Sequence, residues 1–283
     1  RRIGNPTNNS IPQYQAQGFS SVTSLESCPK SKTNSSLPLL VEHCCNVVEN
    51  RALETVGIYR VPGNSAMVTA LEEELRTKTP EGINFNEPKW NDANNMGSLL
   101  RNFLRKLPEG LVTAELYEKF INANRIEGDE RMWSLKSLIQ QLPPAYNETL
   151  RFIITHLKKV SEHSDKNKME VRNIAIIFGP TIVRTEKDNM TTMVNDMSDR
   201  FRIVESFINH FDWFFDSEPV ADGDNTSSPV SPPAEVSSPV LVSSKAMDSI
   251  EQAAVNYESD PPWKSKGGSI KMQMFKTFRR TQS

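Results

Sequence analysis

Cysteine is scarce in this 283-residue sequence: Cys28, Cys44 and Cys45 are the only three, and no CxxC pair occurs among them. That excludes a disulfide framework and thiolate zinc spacing. Cys44 and Cys45 fall inside an apolar helical pattern, which predicts buried free thiols in a reducing, cytoplasmic setting. Long apolar runs are missing too. None approaches the roughly 20 residues a membrane span needs, and the opening "RRIGNPTNNSIPQ" lacks the apolar centre of a signal peptide. With no initiating Met, the sequence reads as a piece excised from a larger soluble protein. A surplus of either charge is absent as well: 33 Lys and Arg face 35 Asp and Glu, so no basic face for nucleic acid is expected. The phosphate-cradling GxxxxGK[ST] is absent. "GIYRVPGN" has two glycines at a loosely similar distance but no Lys after the second, so the chain is not expected to bind nucleotide by itself. His43, His156, His163 and His210 form no HExxH or Cys/His ligand spacing and pair with no nucleophile. They read as core or surface residues, with no metal or cofactor implied.

What is present divides into three regimes. Residues 1–36 are rich in Asn, Ser, Gln and Pro and are expected to be mostly disordered. From 37 to 216 apolar residues recur at helical spacing: Leu40, Cys44, Val47, Val48; Met96, Leu99, Leu100, Phe103, Leu104, Leu107; Leu150, Ile153, Ile154, Leu157, Val160; Val204, Phe207, Ile208, Phe211. No apolar–polar alternation competes, which predicts one all-α domain of ordinary single-core size. Residues 217–283 return to a Ser/Pro-rich linker with Ser-Pro steps at Ser228, Ser231 and Ser238, followed by a basic tail. Between Lys264 and Arg280 that tail has six basic residues and no acid. Ile270, Met274, Phe275 and Phe278 lie near one side of a helical wheel, a pattern suited either to contact with a membrane or protein or to solvated coil.

Within the helical region one residue stands out. "TVGIYRVPGN", residues 55–64, places Arg60 in a loop punctuated by Gly57, Pro62 and Gly63, ahead of Asn64 or Ser65 as the cap of the next helix. A guanidinium keeps its proton, so it cannot be a general acid or base. Its chemistry is electrostatic: several donors in fixed geometry offered to phosphate oxygens, or simple pairing with a carboxylate. On the loop alone, the carboxylate pairing is the simpler account.

Two distant segments weigh against it. "GIYRVPG" at 57–63, "LLRNFLRKLPE" at 99–109 and "RNIAIIFGPTIVR" at 172–184 together resemble three ordered blocks of the Rho-family GTPase-activating protein (RhoGAP) domain. The resemblance covers nearly all of 37–215 and extends to "KNKMEVRNIAIIFGPTIVR" and "DWFF", wording similar to the large members that carry PDZ and PH domains. It implies a single multi-helix bundle that activates a GTPase in trans and is not an enzyme by itself. The expected partner is a Rho-family GTPase of Rho, Rac or Cdc type in its GTP-bound state. GTP and magnesium come with that partner, and recruitment to membrane or cell cortex would fall to domains outside this sequence.

The resemblance also assigns roles. Arg60 occupies the arginine finger. Arg101 stands where the family usually has a lysine that contacts the GTPase. Arg105 matches the arginine that helps hold the finger loop, and Asn173 the asparagine that completes the cluster. Because Asn173 starts the apolar run "NIAIIF", its amide needs hydrogen-bond partners, and backbone groups of the Arg60 loop suit it, with a structural bond elsewhere in the core as the alternative. A docking module that binds a GTPase without catalysis is the alternative. Gly110 replaces the second proline of the usual "LPEPL", which is expected to loosen the entry to the next helix. Pro180 is expected to bend or break its helix near Gly179, or equally to mark a plain helix end, and Trp213, Phe214 and Phe215 are expected to pack on the bundle.

Overall fold

The computed structural model describes residues 24–186 and 188–215, together with Pro232. The basic tail from Lys264 to Arg280 and the Ser-Pro steps at Ser228, Ser231 and Ser238 lie outside the described residues, as do residues 1–23. Among the described residues ten α-helices follow one another: α1 (Leu39–Arg51), α2 (Ser65–Thr77), α3 (Ala93–Lys106), α4 (Ala114–Asn124), α5 (Asp129–Gln140), α6 (Pro144–Glu162), α7 (Ser164–Asn167), α8 (Val171–Ile182), α9 (Met190–Asn209) and α10 (Phe211–Phe215). Among the described residues the only strand-like pairing is one antiparallel bridge between Lys30 and Pro38. The all-α expectation is met.

Local chemistry sets the helix starts. Asn64 caps α2 by accepting from Met67 N–H, Asp92 caps α3 through Asn95 N–H, and Asn189 caps α9 through Thr192 N–H. Each helix then buries one stripe. On α6 that stripe is Leu150, Ile153, Ile154, Leu157 and Val160; on α3 it is Met96, Leu99, Leu100 and Leu104. α1 packs on α3 and α6, and α8 packs on α3, α6 and α9. α8 and α9 pack closely at Gly179, where a Cβ would sit 2.9 Å from the Phe201 ring and 3.0 Å from the Arg200 carbonyl oxygen. The aromatic end of the domain packs as expected. Trp213 and Phe214 are buried, Trp213 lies 5.1 Å from Trp133, and Lys136 stacks over the Trp213 ring while donating to its carbonyl at 2.7 Å.

Three expectations need correction. The first concerns residues 24–36, which are folded. Leu25 is fully buried and Cys28 nearly so, Ser31 N–H donates to the Leu37 carbonyl, and Ser31 Oγ donates to Glu42 on α1 at 2.6 Å. A few apolar residues inside a polar stretch suffice when the turn that carries them satisfies its own backbone.

The second is Pro180, where of the two readings the break falls and the plain helix end holds. α8 runs past Gly179 to Ile182, and Val183 N–H closes the final turn on the Gly179 carbonyl at 2.9 Å. Proline in the last turn forgoes one bond close to where the helix stops anyway.

The third is Gly110, which packs tightly instead of loosening the chain. A Cβ there would meet the Ile182 carbonyl oxygen at 2.7 Å and backbone atoms of Arg184 at 2.8 and 2.9 Å. Leu111 N–H meanwhile bonds the Ile182 carbonyl at 2.9 Å. Glycine therefore lets the segment entering α4 lie directly on the backbone that leaves α8.

Candidate functional site

The 52–64 loop joins α1 to α2, and four other helices hold it. At its start Gly57 takes φ +74° and donates its N–H to the carbonyl of Asn167, the last residue of α7, at 2.8 Å. The Gly57 carbonyl then accepts from both Arg60 N–H and Val61 N–H at 2.8 Å, closing a tight turn. At the other end Gly63 N–H donates to Ser98 Oγ and Asn64 N–H to Asn95 Oδ1, both on α3. Gly63 lies so close to α3 that a Cβ would stand 2.6 Å from Asn95 Oδ1.

Between these anchors the chain alternates inward and outward. Ile58 and Tyr59 are fully buried, whereas Val56, Arg60 and Val61 face solvent. Tyr59 has φ +68°, a left-handed conformation that costs a non-glycine residue about 1 kcal/mol. Its side chain over-determines that conformation. The ring meets Phe178 of α8 edge-on at 4.9 Å, its edge lies 3.2 Å from where a Cβ at Gly97 of α3 would be, and the hydroxyl bonds His156 Nε2 of α6 at 2.6 Å. Burial pushes the Tyr59 hydroxyl well above its ordinary pKa, so it stays protonated.

Arg60 leaves this turn into solvent. Among the described residues no hydrogen bond or ion pair engages its guanidinium, so the carboxylate pairing that the loop alone suggested is not what the fold makes. Instead the side chain lies across Gly57, with Nε and Nη2 each 3.5 Å from where a Cβ of that residue would be. Gly57 thus serves two ends: it takes a left-handed φ, and it gives the arginine a flat surface to cross.

The α3 arginines differ from each other. Arg101 is half-buried, its Nε is shielded from solvent without a hydrogen-bond partner, and its pKa is lowered to about 10. Burial is the main cause, repulsion from Arg105 one turn on adds to it, and the Tyr59 hydroxyl opposes. It remains charged at neutral pH. Arg105 donates from Nη2 to Asn102 Oδ1 at 2.7 Å, and Asn102 donates in turn to Glu72 on α2 at 3.0 Å. The other Glu72 oxygen takes Lys106 Nζ at 2.8 Å. Arg105 therefore supports the α3–α2 contact at the exit of the loop.

Asn173 is at the start of α8, half-buried, and does not bond the Arg60 loop. Its Nδ2 donates to the Lys168 carbonyl at 3.3 Å, which corrects the expected loop contact. The amide that ties the loop down is Asn167, fully buried six residues earlier. Its Nδ2 donates to the carbonyls of Leu53 and Val160 at 2.7 and 2.8 Å, and its Oδ1 accepts from Met169 N–H at 2.7 Å. In sequence Asn167 sits between Lys166 and Lys168 with nothing apolar beside it except Met169, so periodicity gave no sign of burial.

Comparison with known proteins agrees with this geometry. The RhoGAP domain family matches residues 38–187. Over 195 residues the chain is 53% identical to Rho GTPase-activating protein 23 of Mus musculus and 52% identical to Rho GTPase-activating protein 21 of the same organism, in each case over 69% of this chain. GTPase-activating protein pac-1 of Caenorhabditis elegans is 46% identical over 67% of the chain. The matched part is only 13%, 10% and 12% of those relatives' respective lengths. Among solved structures, human Rho GTPase activating protein 15 superposes with a TM-score of 0.63 at 28% identity, covering 75% of this chain and all of that one. The BH domain from GRAF gives 0.56 at 26% identity, covering 64% and 94%. The three motif blocks, the helical bundle and the family match together place this chain in the RhoGAP domain family.

Proposed function

We propose that this chain stimulates GTP hydrolysis by a Rho-family GTPase in its GTP-bound state, with Arg60 entering the partner's active site. The observation that carries the reading is an exposed arginine that has no hydrogen-bond or ion-pair partner among the described residues, mounted on a loop that four neighbouring helices hold in place. A guanidinium held in this way needs little reorganisation when phosphate charge develops before it, which is where electrostatic catalysis gains most. Val56, Val61 and Met67, 59%, 47% and 37% exposed, surround it with apolar surface suited to a protein partner. Nucleotide and magnesium belong to that partner, and the chain contributes charge and position. Arg101 offers a second desolvated cation on the adjoining helix, Arg105 supports the loop exit through Asn102, and Asn173 borders the same region.

The test is single-turnover GTP hydrolysis by purified Rho, Rac and Cdc-type GTPases with and without the chain, beside nucleotide release. Arg60→Ala is expected to lose roughly 10³ to 10⁵ of the stimulation while still binding the GTP-loaded partner. Undiminished stimulation by Arg60→Ala would refute the finger. Binding without stimulation by the parent chain would make it a docking module, and accelerated nucleotide release would make it an exchange factor.

A further inference from the structure

Behind the Arg60 loop, three buried or half-buried polar side chains and one exposed lysine form one connected line. Lys159 Nζ on α6 donates to Glu49 Oε2 on α1 at 2.8 Å, Glu49 Oε1 meets His156 Nδ1 at 2.8 Å, and His156 Nε2 meets Tyr59 Oη at 2.6 Å. His156 and Tyr59 are both nearly inaccessible to solvent. Apolar side chains would fill this space at lower desolvation cost. The only part of the line that belongs to the loop is Tyr59, the residue immediately before Arg60.

We propose that Glu49, His156 and Tyr59 form a positioning relay that fixes the direction in which Arg60 leaves the loop. The inference rests on the reading of Arg60 as the group that enters the partner. Bond polarity runs one way along the line. Glu49 requires a donor at Nδ1, so a neutral imidazole presents Nε2 as an acceptor, and the Tyr59 O–H must point at it. Burial lowers the His156 pKa more than Glu49 raises it, which keeps the ring neutral and preserves this polarity; the nearby Lys159 charge also lowers it. Glu49, although burial pushes its pKa up, is held below the usual carboxylate range by its bonds to His156 and Lys159.

The relay matters because of the backbone at Tyr59. Its φ of +68° is unfavourable for a tyrosine, and a swing to negative φ would redirect the next residue. Ring packing on Phe178 is satisfied by any rotation that keeps the ring in its slot, whereas a hydrogen bond at the far end of the ring sets its position along the slot. With Oη released, the loop samples other directions for Arg60. If Arg60 adds little to ground-state binding, the loss appears in the rate at saturation and not in the concentration needed to saturate.

The experiment measures single-turnover hydrolysis by a GTP-loaded Rho-family GTPase over a range of concentrations of the full 283-residue chain, and records plateau rate, half-saturation concentration and melting temperature. Tyr59→Phe is expected to lower the plateau roughly five- to tenfold while half-saturation moves by less than about twofold. His156→Asn keeps an amide for Glu49 but does not reach Tyr59, and is expected to fall as far. His156→Gln places its amide where Nε2 lies and is expected to recover at least half of the parental plateau. A parental plateau in Tyr59→Phe, or equal plateaus in the Asn and Gln variants, would overturn the relay, as would losses confined to half-saturation. Arg60→Ala is run alongside. If it keeps the parental plateau, the finger reading fails and the relay falls with it; if it loses the plateau while Tyr59→Phe does not, the relay alone fails.

Discussion

The carbonyl of Asn167 accepts the backbone N–H of Gly57 at 2.8 Å, and with the bond from Asn167 Nδ2 to the Leu53 carbonyl it ties the loop that carries Arg60 to the short helix before α8. Asn167 is fixed for that task by three bonds from its own side chain, to Leu53, Val160 and Met169, in a site closed to solvent. Asn167→Ala removes three bonds, leaving the Leu53 carbonyl and the Met169 N–H unpaired while the Val160 carbonyl keeps only His163 N–H. At roughly 1 kcal/mol for each buried bond, a loss of about 3 kcal/mol is expected. Urea denaturation checks it: the midpoint should fall at unchanged slope, and a change under about 1 kcal/mol would mean that water replaces the amide.

Arg101 is expected to show the opposite balance. Its guanidinium is half-buried beside Arg105, and its Nε lacks a partner, so the fold gains little from its charge. Arg101→Met keeps the volume of the stem. The variant should be more stable by about 0.5 to 1 kcal/mol, while binding to a GTP-loaded partner weakens about tenfold or more. Melting temperature and half-saturation concentration separate the two effects. A less stable variant would show that Arg101 supports the fold itself.

How much of this was legible in the sequence depended on the kind of interaction. Helical periodicity located α1, α3 and α6, because each repeats one apolar stripe several times. Asn64 was legible as a cap because its bond to Met67 N–H spans only three residues. The motif blocks brought Arg60, Arg101, Arg105 and Asn173 into view. Asn167 and His156 were not legible as supports of the loop, because their partners lie far away along the chain: Gly57 and Leu53 for one, Glu49 and Tyr59 for the other. Gly110 was misread for the same reason, since its neighbour is the backbone of residues 182–184 and not the helix it precedes.

That contact yields a further expectation. At Gly110 a Cβ would stand 2.7 Å from the Ile182 carbonyl oxygen, and backbone cannot swing aside as a side-chain end can. Gly110→Ala should therefore destabilise the domain by about 1 to 3 kcal/mol, and Gly110→Pro, which restores the more usual "LPEPL", by at least as much. Arg184 couples this strain to α3, since its Nη2 donates to the carbonyls of Leu104 and Leu107 at the end of that helix. Thermal unfolding measures the cost. A proline variant more stable than the parent would mean that the turn re-forms in another shape at no loss.

Stability is expected to fall as the medium becomes mildly acidic, and two histidines set the window. Burial lowers the pKa of both His156 and His43 below the ordinary 6.5, against the opposing influence of Glu49 in one case and of the Trp90 carbonyl and Glu42 in the other. Between the depressed folded value and 6.5 the unfolded chain binds more protons than the native one, so unfolding free energy rises with pH there and is lost as pH falls from 6.5. Each histidine contributes at most about 1.4 kcal/mol per pH unit inside its window. The Glu49 carboxylate, held low by His156 and Lys159, adds its own loss only further into acid, as pH drops below its ordinary 4.5 toward the folded value. Urea titrations at a series of pH values from neutrality to about pH 5 check the sign, and His156→Gln identifies the source. The variant should flatten the profile by up to one histidine's share; a slope equal to the parent's would assign the acid sensitivity to other groups.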